Sequence, residues 1–169
     1  MMSHRKSEEN KTENRLRKWL SNAGRVVIVG IGNSLRKDDF VGVEIVRNLQ
    51  NKVSEAVYLI ECETVPENFI EPIIRFNPSH VLIIDAALLN LEPSSSKLLS
   101  SKQLMKQQVV STHALPLRIF CEYLARATNA KIALLLIQPG DTSFGEGLTQ
   151  EVQNTAKHMA RLLSRLLRA

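Results

Sequence analysis

The sequence predicts an α/β protein: a mostly parallel, twisted sheet of about five strands flanked by helices on both faces, in three layers. Short continuous apolar runs rich in branched residues recur along the chain, which is the pattern of strands buried on both faces. Between them lie segments whose apolar residues fall at helical spacing, and regular alternation of strand and helix builds a doubly wound sheet. The length of 169 residues fits one core, because single domains commonly hold ~100–200 residues.

Residues 1–24, "MMSHRKSEENKTENRLRKWLSNAG", form an N-terminal extension that is polar at first and partly helical, with Leu16, Trp19 and Leu20 facing inward and Gly24 near the helix end. Residues 25–169 form a single domain. Its first strand is "RVVIVGI", followed by a helix with Val41, Ile45 and Leu49 on one stripe. The second strand is "VYLIEC", and "PENFIEPIIRF" then opens a helix with Pro66 in the first turn. "HVLIID" is the third strand, "PSSSK" reads as a surface loop, and "QQVV" reads as another strand. "LPLRIFCEYLARA" is a helix opened by Pro116, "KIALLLIQ" is the last strand, and a final helix starts near Thr149. In that helix Arg161, Arg165 and Arg168 form a solvated basic face opposite Leu162, Leu163, Leu166 and Leu167.

Composition narrows the function. The net charge of +5 and pI of about 9.4 permit an acidic partner without requiring nucleic acid, and none is expected. No apolar run approaches the ~18–20 residues of a membrane span, so no membrane insertion is expected. The charged start lacks the apolar segment of a secretory signal, which points to the cytoplasm. Cys62 and Cys121 lie too far apart for a zinc or redox spacing and read as small buried residues in a reducing compartment.

In a parallel sheet, function gathers at the carboxyl ends of the strands. The polar residues that follow the apolar runs are Asp38 and Asp39, Asp85, and His113. One imidazole and several carboxylates converging from separate strand ends suit a borderline divalent metal. Each has a structural alternative. Asp39 could favour a helix start, with Asp38 the better cap; Asp85 could satisfy loop amides; His113 could be a buried, satisfied imidazole. His4, His80 and His158 read as structural or solvated.

Other chemistries fit less well. The turn "GIGN" lacks the third glycine of a dinucleotide fingerprint, Leu35 standing there, and Glu61 and Glu63 are only partial candidates for the ribose contact. No G-x-S-x-G or H-E-x-x-H occurs. A Cys121 nucleophile paired with His113 would sit about two turns into a helix, a poor place for an exposed thiolate.

Five segments in order, "GIGNSLRKDDFVG", "ETVPENF", "LIIDAA", "STHALPL" and "IQPGDTSFGEGLTQEV", resemble the hydrogenase maturation endopeptidases, from about Arg25 to the last helix. The resemblance implies a phosphorylase/hydrolase-like twisted sheet between helices. It implies a peptidase that cleaves one bond, removing the C-terminal extension of a nickel-iron hydrogenase large-subunit precursor after nickel insertion. It also implies that Asp39, Asp85 and His113 contact the metal, that Asp38 supports the loop, and that Gly30, Gly32 and Asn33 shape the turn. The nickel would be supplied by the precursor, with no tightly bound cofactor of the protein's own, and the protein would act as a monomer. Whether nickel polarises the scissile carbonyl or an aspartate acts as base, in the aspartic-protease manner, stays open.

One departure concerns Phe40, which stands where the family often has glycine after the acidic pair. A left-handed backbone there would cost ~1–2 kcal/mol, whereas a helical one would cost nothing. Two rival functions come from other classes. A non-enzymatic nickel-dependent checkpoint or chaperone would recognise without cleaving. A peptidyl-tRNA hydrolase-like enzyme would need a histidine shortly after the glycine turn, and Phe40 through Val53 contain none.

Overall fold

The computed structural model describes residues 2–107, 109 and 114–168. Helix α1 (Met2–Leu20) leads into β1 (Val26–Ile31), a 3₁₀ turn (Lys37–Phe40) and α2 (Val41–Leu49). Then follow β2 (Val57–Glu63), a second 3₁₀ turn (Pro66–Phe69), α3 (Ile70–Phe76) and β3 (His80–Ala86). The remainder is β4 (Ser96–Ser100), α4 (Ser101–Lys106), α5 (Ala114–Ala127), β5 (Lys131–Ile137) and α6 (Gln150–Leu166).

The five strands form one sheet in the order β2-β1-β3-β5-β4. β1 pairs in parallel with β2 and β3, β3 pairs in parallel with β5, and β4 alone runs antiparallel at the edge. Every residue of β1 and β3 is buried, because helices cover both faces and leave no polar side for alternation. On one face Leu16 and Leu20 of α1, Ile45 and Leu49 of α2, and Met159 and Leu163 of α6 pack together with Ile28 and Leu82 of the sheet. On the other, Ile73 of α3, Leu104 of α4, and Phe120 and Leu124 of α5 pack on Val29 and Ile83. The three-layer α/β architecture is the one the alternation predicts.

Two local expectations are corrected. The serine run is not a surface loop: Ser94, Ser95 and Ser96 are buried, and Ser96 opens β4. Its backbone polar groups are satisfied by neighbouring chain, with the Ser94 N–H donating to the Gln138 carbonyl at 2.8 Å, the Gln138 N–H donating to the Ser95 carbonyl at 2.8 Å and the Thr12 hydroxyl of α1 donating to the Ser96 carbonyl at 2.9 Å. Serine polarity suggested solvent, but small side chains fit under α1 once the backbone is paired. "QQVV" supplies no strand among the described residues: Gln107 ends α4 and Val109 lies outside any ladder, while residues 108 and 110 are outside the described set. Val109 is partly buried against the second core, and burial without pairing leaves the same apolar signature as a strand.

Gly30, Gly32 and Gly42 bring α2 and its preceding turn directly onto the sheet. A Cβ at Gly30 would overlap the Gly42 carbonyl, one at Gly32 the Asp39 carbonyl, and one at Gly42 the carbonyls of Ile84 and Ile31. The reason for glycine at these positions is close approach of backbones, as at other contacts where no side chain fits.

Candidate active site

The chain direction reverses between β1 and β3: from β1 the connection runs outward to β2, and from β3 it runs the other way toward β5 and β4. Such a switch point opens a crevice at the carboxyl ends of the two strands. Asp39 lies in the turn after β1, and Asp85 is the penultimate residue of β3. The structure therefore brings these two sequence candidates to neighbouring strand ends. Both carboxylates are buried. Asn33 donates its backbone N–H to Asp39 Oδ2 at 3.1 Å, and the Ala86 N–H meets Asp85 Oδ1 at 2.8 Å. His113, the third candidate, lies outside the described residues, just before α5 begins at Ala114.

Asp38 has a different set of partners. Its Oδ2 accepts N–H groups from Gly140 at 2.8 Å and Asp141 at 2.9 Å, and its Oδ1 accepts the Thr149 N–H at 2.7 Å. The Thr149 hydroxyl also donates to it, at 2.9 Å to Oδ2. Asp38 does not cap its own turn, which has no side-chain cap. It sits at the start of α6, whose N-cap Thr149 has no capping bond of its own. The sequence reading gives Asp38 to the loop of its own motif; the contacts of its side chain are with a distant segment, Gly140 to Thr149. Asn33, which bonds Asp39 through its N–H, also steadies the first turn, accepting the Leu35 N–H on its side-chain oxygen at 2.9 Å.

The turn after β1 and the loop after β5 are laced together. The Gly145 N–H donates to the Leu35 carbonyl at 2.8 Å, and the Lys37 N–H donates to the Gly145 carbonyl at 3.1 Å. Lys37 Nζ pairs with Asp141 Oδ2 at 2.8 Å. That bond, followed by those from Ser143, holds the Asp141 carboxyl far below the usual carboxylate range. The residues of this arrangement missed at the sequence level are Gly42 and Gly140, together with the bond of Thr149, read there only as a helix start, to Asp38. Only Gly42 had a local signal, as a glycine inside an apolar helical stripe.

Phe40 is accommodated without strain, with φ −84° and ψ 0° in the right-handed region, and the Arg47 guanidinium lies 4.9 Å over its ring. Glu61 is engaged by Arg47 at 3.1 Å. Cys62 and Cys121 are buried, and burial pushes both thiols up to about 12. A thiol that stays protonated near neutral pH is a poor nucleophile, which disposes of the Cys121 alternative. His158 is not a merely solvated side chain, since its Nε2 contacts Glu13 of α1. Among the described residues no helix is long and apolar enough to cross a membrane.

Fold and site together define an α/β crevice protein, with two buried carboxylates at the switch point of a doubly wound sheet. Comparison with known proteins makes this specific. The family model of HycI, hydrogenase maturation protease, matches residues 43–165. A chain of Methanocaldococcus jannaschii described as a hydrogenase maturation protease is 33% identical over 156 residues, covering 88% of this chain and 91% of that one. The crystal structure of a [NiFe] hydrogenase maturation protease HycI from Thermococcus kodakarensis superposes with a TM-score of 0.84 at 32% identity, covering 90% of this chain and 98% of the other. The hydrogenase 3 maturation protease of Escherichia coli is 24% identical over 131 residues, covering 78% of this chain and 83% of its own. The chain belongs to the hydrogenase maturation protease family.

Proposed function

We infer that this protein is an endopeptidase that removes the C-terminal extension of a nickel-iron hydrogenase large-subunit precursor once nickel has been inserted. The observation that carries the reading is the placement of Asp39 and Asp85, buried at neighbouring strand ends of the switch-point crevice, in a chain of this family. Nickel enters as part of the substrate and is the recognition element. Two carboxylate oxygens and the imidazole of His113 are a donor set of the right chemical type for a borderline divalent ion, and so few donors without a thiolate bind a free ion weakly.

In this reading the precursor docks as a monomer's substrate in the cytoplasm, and Asp39, Asp85 and His113 contact the nickel that the precursor already holds. The contact orients the cleavage point against the crevice. Asp39 or Asp85 then serves as base toward the attacking water, removing a proton as the oxygen adds to the scissile carbonyl, and returns that proton to the leaving amine nitrogen as the C–N bond breaks. Asn33 holds Asp39 in place through its backbone N–H, and Asp38 keeps the neighbouring loop fixed.

The test offers nickel-loaded and metal-free precursor to metal-stripped protein and follows product mass. Cleavage of the loaded form alone is expected. Equal rates on both forms defeat nickel gating and favour a plain aspartate-dependent protease. Binding of the loaded precursor with no mass change favours the non-enzymatic checkpoint.

A further inference from the structure

Each of the four parallel strands is followed by a loop that leaves a large apolar side chain in solvent. Leu35 after β1 is 45% exposed, Val65 after β2 39%, Leu88 after β3 56% and Phe144 after β5 83%. The four therefore rim the same end of the sheet as Asp39 and Asp85. Single exposed apolar residues are ordinary, but several in the loops at one end of a sheet, beside a crevice, mark an interaction surface.

Phe144 stands out for how its loop is held. Arg36 Nε donates to the Thr142 carbonyl at 3.2 Å, the Ser143 N–H and hydroxyl donate to Asp141 Oδ1 at 2.9 and 2.6 Å, and Gly145 exchanges backbone bonds with Leu35 and Lys37. These bonds order the residues on either side of a side chain that is itself almost wholly in water. The same loop is fastened to Asp38, the residue next to Asp39, through Gly140, Asp141 and Thr149. The position of Phe144 is thus set relative to the crevice before any partner arrives.

We propose that Phe144, with Leu35 beside it, is the anchor on which the protein substrate docks, inserting into an apolar pocket of the precursor next to the segment to be cut. The proposal rests on the function inferred above and adds the surface that selects the substrate. A rigid aromatic loses little conformational freedom on binding, and such preorganised residues carry a large share of interface affinity. Because the loop that carries Phe144 is fastened to Asp38, next to Asp39, a partner seated on it is held beside the end of the sheet that carries Asp39 and Asp85.

The experiment measures processing of nickel-loaded precursor by the full chain across precursor concentrations, with product mass as readout, for wild type, Phe144→Ala, Phe144→Leu and Met105→Ala. Met105 is an exposed apolar residue on α4. Phe144→Ala is expected to raise KM at least fivefold with kcat within twofold and an unchanged thermal melt. Phe144→Leu should recover part of the loss, and Met105→Ala should match wild type. A KM rise below fivefold, a loss confined to kcat, or a leucine variant as impaired as alanine overturns the proposal. Sedimentation identifies the competing occupant: self-association abolished by Phe144→Ala with KM unchanged makes the patch an interface between copies and also overturns it. If wild type binds the precursor without cleaving it, the functional reading fails separately. Calorimetric Kd for the loaded precursor then tests docking by the same fivefold criterion.

Discussion

The Asp38 carboxylate receives the backbone N–H of Thr149 at 2.7 Å, so the turn after the first strand holds the start of the last helix across more than a hundred residues of chain. Three backbone donors and one hydroxyl converge on this buried side chain. Asp38→Ala leaves them unsatisfied, and losing the buried acceptor should destabilise the fold by about 3–5 kcal/mol. Urea denaturation measures this. A change under about 1 kcal/mol would contradict the assigned role.

Asp39→Asn and Asp85→Asn keep an oxygen for the Asn33 and Ala86 N–H groups while removing the charge. Each should lower precursor cleavage on the order of a hundredfold or more, an effect in the range of losing a catalytic acid or base, with little change in melting temperature. His113→Ala should do the same. Retained cleavage in any two of these variants sinks the triad.

Gly42→Ala tests the seating of α2. The added methyl would overlap the Ile84 and Ile31 carbonyls, which cannot swing aside as a flexible side chain would. Overpacking against backbone should cost about 2–3 kcal/mol and shift the turn carrying Asp39, so stability and cleavage fall together. An alanine variant with wild-type stability shows that α2 can slide without cost.

His80 makes stability depend on pH. It is buried at the start of β3, its ring edge-on to Trp19 at 4.8 Å between centroids. Burial, then the charge of Lys131, lowers its pKa below the ordinary 6.5. The folded state therefore binds fewer protons than the unfolded state once pH drops to that region. Stability from this group is fully present above about pH 6.5 and declines as pH falls. Unfolding free energies between pH 7 and 5 should show a slope of at most ~1.4 kcal/mol per pH unit from this residue, reduced in His80→Gln. An unchanged slope in the variant assigns the effect to other groups.

With thiols raised by burial, Cys62 and Cys121 should resist alkylation in the native protein at pH 8 and react fully on unfolding. Cys121→Ala should retain processing activity. Loss of cleavage in a folded Cys121→Ala variant would revive the thiol mechanism.

The layered α/β fold was legible because buried parallel strands such as "RVVIVGI" and "HVLIID" are continuously apolar and their helices carry regular stripes. The sequence also marked Asp39 and Asp85 as strand-end carboxylates, since position after an apolar run is a local property. Tertiary structure decided what depends on partners distant in the chain. The serine run leads into an edge strand at Ser96 because α1 and β5 supply that residue's hydrogen bonds. The two adjacent aspartates parted company because one meets Gly140 and Thr149 while the other accepts the Asn33 N–H of its own turn. Residue type cannot distinguish them: a carboxylate's role is set by which donors the folded chain brings within about 3 Å, and those donors come from a loop a hundred residues away.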